Sequence, residues 1–225
     1  GMAFQRDGAL LLFRERDVAV LGEDGAARSV LPLPELPATV TRSNDCLALP
    51  SGGVLVGTIS HPREDAGLLH LSPGGVWSEL ARETGISNGL ALSGDLRWLY
   101  WTDSTHRRIV RFPFDAETDA VGGAELVHRA AEGEGTPDGL TMDAEGRLWS
   151  ARWGGGCVMA IDAESGGVAE RIAVGGPGAN VTSCVFAGPE LDVLVVTINT
   201  GPIVAVHGVG RGVAEFRSGV RFGSD

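Results

Sequence analysis

Basic residues are scarce in this 225-residue chain: Lys and Arg number 18 against 29 Asp and Glu, for a formal net charge of −11. No basic stripe interrupts the acidity, so nucleic acid and an anionic membrane surface are excluded as partners. No apolar run reaches the roughly 18 residues that cross a bilayer, and no charged-apolar-small leader opens the sequence. Cysteine is equally rare. Cys46, Cys157 and Cys184 are odd in number and widely spaced, which points to reduced thiols in a cytoplasmic protein and not to a disulfide framework. The sequon at Asn180 to Thr182 is then expected to be unused. The five histidines show no H-x-x-x-H spacing, so a zincin-type metal site is excluded. Charge is only 21% of the chain and never forms a long run, which argues against disorder. Helical periodicity is also missing: the segment from Trp77 to Glu83 comes nearest and is too short.

Glycine and short apolar runs are abundant. Hydrophobic residues make up 43% of the chain, enough for a large core, and the 34 glycines are dispersed, as tight turns between short strands require. Gly8, Gly52, Gly94, Gly146 and Gly188 each precede such a run: ALLLF at 9–13, VLVGT at 54–58, RWLYWTD at 97–103, RLWSARW at 147–153 and LDVLVVTIN at 191–199. Their spacings of 44, 42, 52 and 42 residues belong to propeller blades or helical arrays. Runs this short, Val/Leu/Trp-rich and bounded by turns, read as strands.

Each run has an apolar run before it, as in CLAL at 46–49 and GLAL at 89–92. A third follows, as in RIVRF at 108–112 and CVMAI at 157–161, with acidic or glycine turns such as EDG at 23–25. A weaker fourth run, such as RSVLPL at 28–33 or VAERIAV at 168–174, closes the unit. The fold expected is all-β, a single β-propeller domain over 1–225. Its five visible blades of four antiparallel strands span about 1–37, 38–81, 82–132, 133–177 and 178–225.

In a propeller the first strand of each blade lines the central channel. The residues at its mouth here are Asn44 and Asp45, Asn88, Asp138 and Ser183. Turn formation alone explains any one of them, but their recurrence at equivalent places suggests a shared site. Oxygen donors without a His or Cys cluster suit a hard cation such as calcium, magnesium or manganese. An ion with few protein ligands keeps positions for water and substrate, polarises a carbonyl and lowers the pKa of bound water. The G-x-S-x-G at Gly85 to Gly89 lacks the helix that a nucleophile elbow needs. Asp103, which ends a strand, reads as a structural hydrogen-bonding residue. Trp98, Trp101, Trp149 and Trp153 read as inter-blade packing.

The units RSNDCLALPSGGVLVGTIS, ISNGLALSGDLRWLYWTDS, PDGLTMDAEGRLWSARWGGG and TSCVFAG resemble the SMP-30/gluconolactonase/regucalcin family, in order and over nearly the whole chain. The resemblance implies a six-bladed propeller that hydrolyses sugar lactones with a divalent ion, whether calcium, manganese, magnesium or zinc. It makes Asn88 and Asp138 metal ligands and Arg42 and Asn44 the residues that face substrate; in a lactonase, Asp138 is then the candidate catalytic base that takes a proton from the attacking water. Only five blades are visible, and no early glutamate stands in the family's Glu-Gly-Pro context: Glu15 and Glu23 sit at strand ends and turns. The sequence opens on Gly1 inside an inner strand, which points to a missing first blade. Three readings follow: a metal-dependent lactonase, a non-catalytic calcium-binding propeller, and a propeller that serves as a protein-interaction module. The oligomeric state is not legible.

Overall fold

Short Val-, Leu- and Trp-rich segments closed by tight turns have little choice but to pair as hairpins. The computed structural model, which describes residues 1–22 and 24–222, contains no helix among those residues. The segment expected to come nearest to a helix, from Trp77, is a strand. Glu23, in the expected EDG turn, lies outside the described residues.

The first sheet holds β1 (Met2–Phe4), β2 (Leu10–Phe13), β3 (Asp17–Leu21) and β4 (Ala27–Pro32). The second holds β5 (Arg42–Ala48), β6 (Val54–Ile59), β7 (Ala66–Leu71) and β8 (Trp77–Thr84). The third holds β9 (Ser87–Leu92), β10 (Trp98–Asp103), β11 (Arg108–Pro113) and β12 (Glu125–Arg129). The fourth holds β13 (Thr136–Met142), β14 (Arg147–Trp153), β15 (Cys157–Asp162) and β16 (Val168–Ala173). The fifth holds β17 (Val181–Ala187), β18 (Val193–Ile198) and β19 (Val204–His207), three strands among the described residues. The glycine-rich chain after β19 offers no alternating run for a fourth, and Gly212 makes only an isolated bridge to Asp143. These are the antiparallel blades of a five-bladed β-propeller, each written consecutively along the chain.

Burial explains the sequence pattern of each blade. The second strands β6, β10 and β14 are buried on both faces, whereas the outermost strands β4 and β16 are largely exposed. The fourth run therefore carries polar residues and is hard to see in the sequence. The glycines before the runs are not all equivalent. The turns Gln5–Gly8, Leu49–Gly52 and Asp143–Gly146 end on left-handed glycines, but the third blade closes its turn on Leu96 at φ 59°.

The chain divides into two compact units. One comprises Gly1–Ser87, Asp115–Ala120 and Glu215–Asp225; the other comprises Asn88–Phe114 and Val121–Ala214. In the first, Leu11, Phe13 and Val18 pack against Val54, Val56, Leu69 and Leu71. Its segment Asp115–Ala120 is anchored by the buried Asp119, which accepts hydrogen bonds from Ser51 Oγ (2.6 Å) and from His70 Nε2 (3.0 Å). In the second, Tyr100, Ile109, Leu148 and Met159 join the third and fourth sheets, and Trp149, Phe186, Leu194 and Val196 join the fourth and fifth. Each such side chain contributes about 1.5–3 kcal/mol by burial. Trp149 bears out the packing role, its ring edge-on to Phe186. Trp153 does not: it is exposed at the end of β14, where its hairpin leaves the core.

Candidate functional site

Asn44, Asp45 and Asp138, expected at the inner-strand mouths, sit where an irregularity interrupts strand pairing. In β5, Ser43 pairs with Thr58 and Cys46 with Val56, so Asn44 and Asp45 together oppose one residue. In β13, Pro137 pairs with Arg152 and Leu140 with Ser150, which leaves Asp138 and Gly139 against one residue. In β17 the extra residue is Thr182, next to Ser183. Such bulges bend a strand and re-aim its side chains.

In the first unit, Arg42 and Asn44 form a pair. Arg42 Nη1 donates to Asn44 Oδ1 at 2.8 Å and to the Ser43 carbonyl at 3.0 Å. Asn44 Nδ2 in turn donates to the carbonyl of Ser87 at 2.8 Å. The two residues expected to face substrate are thus hydrogen-bonded to each other. Burial pushes the neighbouring Asp45 carboxyl above the ordinary aspartate range, against the pull of nearby positive charge that includes Arg42.

In the second unit, Asn88 and Asp138 are tied through a serine that sequence reasoning passed over. Asn88 Nδ2 donates to Ser104 Oγ at 2.9 Å, and Ser104 Oγ donates to the Pro137 carbonyl at 2.6 Å. Pro137 immediately precedes Asp138, so one hydroxyl sets the amide of Asn88 relative to the start of the Asp138 bulge. With the Asn88 nitrogen committed, Oδ1 is the atom its amide can offer a cation. The only sequence signal for Ser104 was its place directly after the strand ending in Asp103. Asp103 itself proves structural: fully buried, it accepts from His106 Nδ1 (2.7 Å) and Arg108 Nε (3.0 Å).

The glycines that follow Asn88 and Asp138 are there for space. A Cβ on Gly89 would lie 2.6 Å from the Gly139 carbonyl carbon, and one on Gly139 would lie 2.6 Å from Ser183 Cα. Strands β9, β13 and β17 therefore approach backbone to backbone, which only glycine permits. The same glycine excludes a nucleophile elbow, because Gly89 continues into β9 and no helix follows.

The donors fit a hard divalent ion in kind, one amide oxygen and one carboxylate. Among the described residues no three His, Cys, Asp or Glu side chains gather as a metal-holding group. Glu15 is exposed in the β2–β3 turn, and Glu23 lies outside the described residues.

The chain is a β-propeller in which β9 carries Asn88 and β13 carries Asp138. The chain belongs to the SMP-30/gluconolactonase/LRE-like family, whose defining region matches residues 1–200. It is 36% identical to the pentonolactonase XacC of Haloferax volcanii, across 99% of this chain and 81% of that protein. It is 33% identical to regucalcin of Danio rerio across 70% of this chain, a match that spans about half, 54%, of the relative. The structure of a calcium-binding protein, regucalcin from Agrobacterium tumefaciens, superposes with a TM-score of 0.78 at 29% identity, over 87% of this chain and 66% of that one. A luciferin-regenerating enzyme superposes at 0.84 with 26% identity, over 96% of this chain and 80% of that one. No helix of the described residues is long and apolar enough to cross a membrane.

Proposed function

We propose that this protein is a divalent-metal-dependent hydrolase of sugar lactones, with Asn88 and Asp138 holding the ion. The observation that carries the reading is the Asn88–Ser104–Pro137 chain of hydrogen bonds, a supporting shell of the kind that orients metal ligands. It is joined by the likeness to a pentonolactonase along almost the whole chain. A divalent ion bound there supplies Lewis acidity to the lactone carbonyl and acidity to water. The chain's own residues do the rest. Asp138 takes the proton from the attacking water as its oxygen bonds to the carbonyl carbon. The ring carbon–oxygen bond then breaks, the leaving oxygen takes the proton that Asp138 holds, and a hydroxy acid is released. Arg42 and Asn44, already bonded to each other, orient the sugar hydroxyls.

The test is proton release from gluconolactone and from a pentonolactone, first with chelated protein and then with calcium, manganese, magnesium or zinc. The reading expects hydrolysis above the spontaneous rate that depends on added metal. A second reading, a calcium-binding protein without turnover, is favoured by the regucalcin structure, which is named for calcium binding. It expects tight metal binding with no acceleration on any lactone.

A further inference from the structure

In a chain of net charge −11, a pocket with an excess of positive side chains is unexpected. One lies in the first unit, at the end of β5 away from Asn44. Its volume is about 440 Å³, inside the range of roughly 300–1,000 Å³ usual for small-molecule sites. The turn after β1 supplies Arg6 and Asp7, the turn after β5 supplies Ser51, and the segment that ends in Arg221 completes the lining. That segment is bonded to all of its neighbours. Ser218 N donates to Phe4 O at 2.8 Å, Gly219 N to Gly52 O at 2.8 Å and Arg221 N to Pro73 O at 2.9 Å. Val220 is buried in the core with Leu11 and Val54, and Gln5 Nε2 donates to its carbonyl at 2.9 Å.

Arg6 is held in position before any ligand arrives, which lowers the entropy that binding costs. Its Nη2 donates to the Pro50 carbonyl at 3.1 Å. A Cβ on Gly219 would stand 3.1 Å from Nη1, 3.3 Å from Cζ and 3.4 Å from Nε of Arg6, so the guanidinium rests against bare backbone. Gly219 does not have a left-handed φ; its missing side chain serves Arg6 and not a turn. Pro50 O is a neutral acceptor, and neither Arg6 nor Arg221 makes an ion pair among the described residues.

Charge and donor type set the ligand class. Two guanidiniums against one aspartate leave one positive charge. A single carboxylate neutralises it, whereas a phosphate dianion would overshoot it beside Asp7. Guanidinium N–H groups also match a carboxylate with two parallel bonds. Asp7 Oδ1 accepts from Ala9 N at 3.0 Å, and its second oxygen is an acceptor for a hydroxyl.

We propose that this pocket binds a polyhydroxylated monocarboxylate, a sugar acid, with its carboxylate on Arg6 and Arg221 and a hydroxyl on Asp7. Sugar acids are the product class of the hydrolysis proposed above. The role of the pocket as a product site rests on that reading; its ligand chemistry does not.

Calorimetric titration of the intact protein with sodium gluconate tests the site. Chelator is present so that no metal ion holds the sugar acid, and glucose and inorganic phosphate are titrated at the same ionic strength. Gluconate should bind saturably, glucose not at all, and phosphate at least about tenfold more weakly than gluconate. Arg6→Gln and Arg221→Gln should each weaken gluconate binding by about tenfold or more, the scale of a lost charge-assisted pair. Gly219→Ala, which keeps every charge and displaces the Arg6 guanidinium, should weaken it as well. Melting temperatures of the ligand-free variants establish that each is folded. No turnover is read, so gluconate binding that needs Arg6 upholds the site even in a protein that hydrolyses no lactone. Unchanged gluconate affinity in both arginine variants, phosphate bound as tightly as gluconate, or no saturable gluconate binding overturns it.

Discussion

The Ser104 hydroxyl donates to the carbonyl of Pro137 at 2.6 Å while accepting from Asn88 Nδ2. It therefore couples the two candidate ligands Asn88 and Asp138 without being a ligand itself. Ser104→Ala should weaken metal affinity by about tenfold, the lower end for a supporting hydrogen bond behind a ligand. Folding stability should fall by only about 1 kcal/mol. Ser104→Thr, which keeps the hydroxyl, should restore metal affinity. Calorimetric metal titration of both variants checks this, and equal affinity in Ser104→Ala would assign the serine to folding alone.

Arg42 separates substrate orientation from metal holding. Its bond to Asn44 lies in the first unit. Arg42→Met is expected to raise KM for a sugar lactone by about tenfold, the signature of lost uniform binding, and to leave the metal dissociation constant unchanged. Steady-state kinetics beside a metal titration read both numbers on one preparation.

The close approach of β13 and β17 makes a steric prediction. Gly139→Ala forces a methyl group onto Ser183 and should cost about 2 kcal/mol or more, as overpacking does. Gly94→Ala meets nothing within 4 Å and should stabilise by about 0.5 kcal/mol through the unfolded chain. Urea unfolding of the two variants side by side tests whether the glycine after Asp138 answers to space.

Burial pushes the Cys46 thiol up to about 12 from its ordinary 9.0. The thiolate is the reactive form, so at pH 8 Cys46 should react with a disulfide reagent at least about a hundredfold more slowly than free cysteine. Linkage gives the sign for stability. The folded state holds this proton more tightly than the unfolded one, so its contribution is intact below about pH 9 and is lost as pH rises toward 12. Unfolding free energies should therefore fall more between pH 9 and 10.5 in the wild type than in Cys46→Ala.

The blades were legible because their second strands are continuous apolar runs closed by turns, as in VLVGT and RLWSARW. The outer strands were faint for a physical reason: β16 faces solvent, and its residues alternate weakly. The strand from Trp77 resembled a helix fragment because it is an edge strand with two of its charged residues outward, Glu79 and Arg82 paired across its surface. Asn44, Asn88 and Asp138 stood out in the sequence by residue type and position, and Arg42 only through the resemblance to the family's R-x-N-D motif. The bulges beneath Asn44 and Asp138 were not, since a bulge is a matter of cross-strand register and appears in neither strand alone. Ser104 looked like an ordinary turn residue.

Asp138→Asn tests the central claim most directly, with metal affinity and lactone hydrolysis measured on one preparation alongside the wild type. Asn keeps the shape of Asp138 at the bulge and removes its charge and proton acceptor, so metal-free stability should stay within about 1 kcal/mol. Metal binding should weaken, and turnover of the sugar lactone should fall by at least about a hundredfold, as losing a positioned base implies. Unchanged metal affinity and turnover, with a lower melting temperature, would show that Asp138 serves the bulge and not the chemistry.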